Sequence, residues 1–161
     1  MAEDLIVDPS LNKEEKYKLL AKQLCALTAV ETNMLANYSN IVAALKVSFN
    51  FLWVGIYFVE GTELVLGPFQ GPVACTRIAL GQGVCGTSFE KNETVIVDNV
   101  DEFPGHIACS SLSKSEIVLP ICNNDSVFAV LDLDSSELSC FDSIDKKYLE
   151  EVVKLMEEKI N

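Results

Sequence analysis

Basic side chains are scarce in this chain of 161 residues: 12 Lys and Arg stand against 24 Asp and Glu, Arg77 is the sole arginine and His106 the sole histidine, for a net charge of −12. Proteins that hold nucleic acid need clustered cations to displace counterions from phosphate, so this balance excludes nucleic acid as a partner. Long apolar runs are missing too. The longest apolar or glycine run, residues 51–59, is nine residues, against the roughly 20 needed to cross a bilayer. No membrane span is expected. The N-terminus, MAEDLIVDPSLNKEEKYKLL, carries acids where a signal peptide needs cations and lacks an apolar core, which predicts a cytoplasmic protein. The sequons at Asn37 and Asn92 then read as chance matches. There is no internal repeat or linker, and the length predicts a single domain over residues 1–161, with 1–11 as a flexible N-terminal segment.

What is present is strong periodicity. Asn12 and Glu15 have the spacing of a capping box, and Tyr17, Leu20, Leu24 and Leu27 follow at helical intervals, predicting a helix over 13–29. A second helical pattern (Leu35, Tyr38, Ile41, Val42, Leu45, Phe49) begins after a break near 31–33. FLWVGIYFVE and ELVLGPF, joined at Gly61 and Thr62, read as an antiparallel hairpin. Glycines and prolines over 67–86 predict a loop-rich stretch without long regular elements. TVIVDNV reads as a strand, and EIVLPIC and SVFAVLDLDSS as a second hairpin around residues 123–125. Asp142 caps a last helix with Ile144, Tyr148, Val152, Leu155 and Met156 on one face. Helices at both ends of a run of hairpins predict an α+β fold, an antiparallel sheet with helices on one face.

Six cysteines are too few for a disulfide scaffold and are expected as thiols in a reducing compartment. Cys25 and Cys122 read as small buried hydrophobes, and Cys140 as a structural or incidental residue in a polar connection. Cys75, Cys85 and Cys109 differ, because they lie in glycine-punctuated sequence where a loop thiol is exposed enough to react. Together they point to redox or metal chemistry. Cys75, Cys85, His106 and Cys109 make a formal Cys3His set, but zinc ligands come in close pairs and only His106 and Cys109 are close, so the zinc signal is weak. His106 itself reads as a satisfied loop or core histidine. Glu116 precedes an apolar strand, and Asp132 and Asp134 alternate with leucines, which puts both aspartates on one strand face. Such a face is either solvated or the floor of a pocket. In a pocket, converging carboxylates bind an ammonium group and crowding raises one pKa enough to supply a proton. Trp53 and Tyr57, four apart, share a strand face, either as core or as one wall of that pocket.

The words LGPFQGPVACTRI, GQGVCGT, FPGHIACSS, SEIVLP and VLDLDSS, in this order after WVGIY, closely resemble the free methionine-(R)-sulfoxide reductases, a family of GAF-domain enzymes. The strong matches span residues 53–135, with weaker agreement in ETNMLANYS and the last helix. The resemblance implies a GAF-like sheet with the N- and C-terminal helices on one face and a loop-covered pocket on the other. It implies an L-methionine (R)-S-oxide reductase, with Cys109 of the GHIAC word as nucleophile, Cys75 as resolving cysteine and Cys85 as an alternative. Trp53, Tyr57, Glu116, Asp132 and Asp134 match the family's substrate pocket, with Glu116 or Asp134 as proton donor and Asp132 on the substrate ammonium. No metal or bound cofactor is implied. Thioredoxin is the implied reductant, for a disulfide between Cys75 and Cys109, and a homodimer is suggested. Ser110, Leu52 and Asp101 stand where family members commonly carry Asp, Asn and His. Two rival readings are a GAF module that senses an amino-acid-like ligand and a thiol sensor of oxidants, neither turning over a sulfoxide.

Overall fold

The computed structural model describes residues 4–106 and 110–160. Helix α1 (Lys13–Thr28) starts at the expected capping box: Asn12 Oδ1 accepts from Glu15 N at 3.0 Å and the Glu15 carboxylate accepts from Asn12 N at 3.1 Å. Helix α2 (Met34–Phe49) is capped by Asn33 and ends on Asn50 in the left-handed region. Strands β1 (Trp53–Glu60), β2 (Glu63–Gln70) and β3 (Arg77–Ala79) lead to α3 (Gly83–Lys91) and then to β4 (Val95–Val97). The hairpin β5 (Ser115–Asn123) and β6 (Ser126–Ser135) precedes α4 (Ser143–Glu157), whose cap is Asp142. The segment read as flexible carries two hydrogen bonds to α1, from Ile6 N to Gln23 Oε1 and from Gln23 Nε2 to Ile6 O.

The six strands form one antiparallel sheet in the order β3-β2-β1-β6-β5-β4, the α+β architecture expected. The β5–β6 hairpin inserts beside β1 and so occupies the middle of the sheet. One face packs under α1, α2 and α4: Leu20, Leu24, Ile41, Leu45, Leu149 and Val152 meet Val54, Ile56, Ile117, Leu119, Leu131 and Leu133. The amphipathic faces of α1 and α4 are therefore spent on this core. A buried Asp145 accepts from the Tyr17 hydroxyl and pairs with Lys13, tying the last helix to the first.

Two local readings are corrected. Cys25 is exposed, because the buried stripe of α1 runs through Tyr17, Leu20, Leu24 and Thr28 and the next residue after Leu24 turns outward. Cys122 is only half-buried, near the end of β5 at a register shift, with its thiol donating to Asn92 Oδ1 at 3.3 Å. Leu35 of the second helical pattern is 54% exposed, while its neighbour Met34 packs against the core.

The glycine-rich stretch holds more regular structure than its composition predicts. GVCGTSFEK is a helix despite two glycines, each of which disfavours helix by about 1 kcal/mol. Packing explains it: a Cβ at Gly86 would lie 2.4 Å from the Ala79 carbonyl oxygen. Only glycine lets α3 come down this closely on the sheet end.

Candidate active site

Strand register assembles the site on the face opposite α1, α2 and α4. Trp53 lies opposite Asp134, and Asp134 opposite Glu116, so one row crosses β1, β6 and β5. In the next row on that face Gly55 lies opposite Asp132. A cavity with about 590 Å³ of empty space, including its opening to solvent, covers these rows. It brings together Trp53, Tyr57, Cys85, His106, Glu116, Asp132 and Asp134, roofed by the start of α3 and by residues 72–74.

The aromatic wall is held from several sides. The Trp53 indole stacks on Tyr57 and Phe69 at centroid distances of 5.9 and 5.5 Å, and its N–H donates to the Pro72 carbonyl at 3.1 Å. A Cβ at Gly55 would come within 2.1 Å of the indole. The missing side chain thus lets Trp53 lie flat along β1 beside Asp132. Composition gave no sign of this role for Gly55. The Tyr57 hydroxyl donates to the Cys75 carbonyl at 3.1 Å, joining the wall to the segment between β2 and β3.

The acidic floor is unusual for a buried surface. Glu116 and Asp132 are 6% and 5% exposed, yet no Lys or Arg is among the described lining residues. Burial, followed by repulsion from Asp132 and Asp134, pushes the Glu116 pKa well above the usual carboxylate range. Burial and then Asp134 do the same to Asp132, whose Oδ1 has no hydrogen-bond partner among the described residues. Asp134 is pushed up to about 6 by burial and held back by the Ser113 hydroxyl, which donates to its Oδ1. Ser113 is a site residue that sequence reading missed; nothing marks it off from its serine neighbours.

Cys85 is not the exposed loop thiol its sequence context suggests. It is buried in the first turn of α3, and its thiol donates to Glu116 Oε1 at 3.8 Å. A helix N-terminus favours a thiolate by about 0.3–1 kcal/mol, whereas full burial shifts a pKa by up to about 3–5 units, or roughly 4–7 kcal/mol. Burial wins, with Asp132 and Glu116 adding to it, and the Cys85 pKa rises well above its ordinary value.

Cys75 is engaged in a disulfide and so offers no thiolate to a metal in this state, which removes it from the formal Cys3His set. Cys109 lies outside the described residues. His106 is not a satisfied histidine within the described residues: its Nδ1 is buried without a partner there, and burial lowers its pKa. At the positions that depart from the family words, Ser110 Oγ accepts from Leu112 N at 3.2 Å, Leu52 N donates to the Asp134 carbonyl at 2.9 Å, and Asp101 pairs with Lys114 on the surface.

Residues 38–160 match the family model of the GAF domain. The chain is 54% identical over 158 residues to GAF domain-containing protein A of Dictyostelium discoideum, covering 98% of this chain and 99% of that protein. It is 41% identical over 156 residues to the free methionine-R-sulfoxide reductase of Saccharomyces cerevisiae, covering 91% of this chain and 87% of the relative. The X-ray structure of free methionine-R-sulfoxide reductase from Neisseria meningitidis in complex with its substrate is similar with a TM-score of 0.95 at 45% identity, covering 99% of this chain and 95% of that one. Sequence and fold together show that this chain belongs to the free methionine-(R)-sulfoxide reductases of the GAF-domain family.

Proposed function

We propose that this chain reduces free L-methionine-(R)-sulfoxide to L-methionine, with two of its own thiols supplying the electrons. The observation that carries the reading is the acidic floor, with Glu116 and Asp132 buried and Asp134 half-buried, which has no Lys or Arg among the described lining residues and faces an aromatic wall. An amino acid brings the missing cation as its α-ammonium, which a peptide-bound methionine lacks. The Asp132 Oδ1, without a partner among the described residues, accepts from that ammonium, and Trp53 shelters the S-methyl group.

Of the three acids, Glu116 is the proton donor. Burial and the neighbouring carboxylates raise its pKa and favour the protonated carboxyl, whereas the Ser113 hydroxyl favours the ionised form of Asp134. The Glu116 proton passes to the sulfoxide oxygen, making the sulfur electrophilic. The Cys109 thiolate attacks, the oxygen ends on Cys109 as a sulfenic acid, and methionine departs with sulfur reduced. The Cys75 thiol then condenses with the sulfenic acid, forming a disulfide and releasing water. Support for Cys75 as the resolving residue is that it already takes part in a disulfide while Cys85 is a buried neutral thiol. A dithiol protein restores both thiols; thioredoxin, at about −270 mV, is a competent cytosolic donor. The reaction so written draws on no bound cofactor. No helix of the described residues is long and apolar enough to cross a membrane, which is compatible with a cytosolic reductant.

The test is NADPH consumption with thioredoxin, thioredoxin reductase and free L-methionine-(R)-sulfoxide. Turnover is expected, and its absence with an active recycling system overturns the reading; binding without turnover would instead mark a sensor. Cys109→Ser abolishes even single-turnover methionine formation, whereas Cys75→Ser retains the first turnover. Equal loss in both variants would refute the division of roles.

A further inference from the structure

We propose that the acidic floor of the cavity also binds one thiophilic divalent cation of the zinc and cadmium type, held by Cys85, Glu116 and Asp132, and that this cation excludes the amino-acid substrate. The binding site stands on side-chain placement. Only its consequence for turnover rests on the function proposed above.

The three residues come from α3, β5 and β6, and each presents one ligand atom, all within 4.8 Å of one another. Cys85 Sγ and Glu116 Oε1 are already 3.8 Å apart. A tetrahedral zinc ion with bonds of about 2.3 Å to sulfur and about 2.0 Å to oxygen spaces its ligands roughly 3.5 Å apart. Side-chain shifts of about 1 Å therefore close the set. A second observation points to a ligand: Asp132 lines the cavity at 5% exposure, and its buried Oδ1 has no donor among the described residues. Leaving a buried acceptor unmatched is costly, and the described lining holds no Lys or Arg to match it.

The donor set selects the metal. Magnesium and calcium require six or more oxygens around them, whereas one sulfur and two carboxylates suit a borderline-soft ion that accepts four ligands. On binding, metal–sulfur and metal–oxygen bonds form while the thiol and carboxyl protons leave to solvent, with no change in oxidation state. The fourth position takes water. The cation and the substrate ammonium both draw on the Asp132 carboxylate in the same cavity, so the two occupants compete.

Cadmium titration of the protein with Cys75 in its disulfide tests this, read by the sulfur-to-cadmium charge-transfer band. One equivalent per chain is expected. Cys85→Ser removes the band, Asp132→Asn weakens binding at least about tenfold, and replacing Cys25, Cys122 and Cys140 with serine leaves the band in place. Persistence of the band in Cys85→Ser, its loss in the triple variant, or unchanged affinity in Asp132→Asn would each overturn the site; circular dichroism establishes that each variant is folded. Saturating free L-methionine is expected to weaken cadmium binding. If methionine binds the chain yet leaves cadmium affinity unchanged, the competition is refuted, and if methionine does not bind at all, the functional reading fails while the metal site stands.

Discussion

On the helix-covered face of the sheet, buried polar groups meet partners: Asp145 with Lys13 and Tyr17, the Tyr38 hydroxyl with the Met156 carbonyl at 3.0 Å, and Thr28 with the Leu24 carbonyl at 2.9 Å. On the cavity face Glu116, Asp132 and Asp134 crowd together with no Lys or Arg among the described lining residues. Both faces hang on the same central strands, with Leu131 and Leu133 pointing one way and Asp132 and Asp134 the other. The contrast separates residues that hold the fold from residues that the fold holds at a cost. Removing one partner of a matched buried group destabilises, whereas neutralising an unmatched one relieves repulsion.

The strongest way to break this comparison is Glu116→Gln. Loss of the general acid is expected to lower kcat by about 10²–10⁴-fold, with a melting temperature at pH 7 equal to or above that of the parent. A clear fall in Tm would show that Glu116 supports the fold. Ile121→Ala, on the helix face, should behave oppositely. It is expected to cost about 2–5 kcal/mol, or roughly 2–4 °C in Tm for each kcal/mol, with KM of the folded fraction unchanged; a large KM change would join the two faces functionally.

A smaller effect resolves the acids by pH. The Asp134 pKa is raised from 3.8 to about 6 in the folded protein, so between those values the native state binds more protons than the unfolded one. The stability contributed by this group is complete below about 3.8 and is lost as pH rises through about 6. Asp134→Asn is therefore expected to be more stable than the parent at pH 7, by up to about 3 kcal/mol, relative to the same comparison at pH 4. Urea titrations giving an equal offset at both pH values would refute the raised pKa of Asp134 in the folded protein. The smallest expected change is that of Ser113→Ala, which removes the donor to Asp134 and should move the acid limb of the kcat/KM profile upward by less than about one pH unit. An unmoved profile would mean that Ser113 does not tune the acids.

Much of this was legible locally. The Asn12–Glu15 capping box, the Asp142 cap and the alternation in VLDLD announced α1, α4 and β6 because caps and periods act over a few residues. Helix α3 was not legible, since Gly83 and Gly86 argue against helix until the close approach to Ala79 is known. For the same reason Cys85 read as a loop thiol: only packing shows it buried against Glu116. The exposure of Cys25 follows from helical phase once Leu24 is known to face inward, but cysteine's average preference for the interior pointed the other way.

The sequence by itself determined which residues could do chemistry, that Asp132 and Asp134 share a face, and that Trp53 shares one with Tyr57, because strand alternation has a period of two whatever the surroundings. Which face became a cavity was decided by the tertiary structure. The β5–β6 hairpin docks beside β1, and only that distant pairing sets Glu116, Asp134 and Trp53 in one row and Asp132 beside the gap left by Gly55. Helices on one side then leave the other to α3 and the loops, and the resulting burial pushes the pKa values of Glu116 and Asp132 well above the usual carboxylate range.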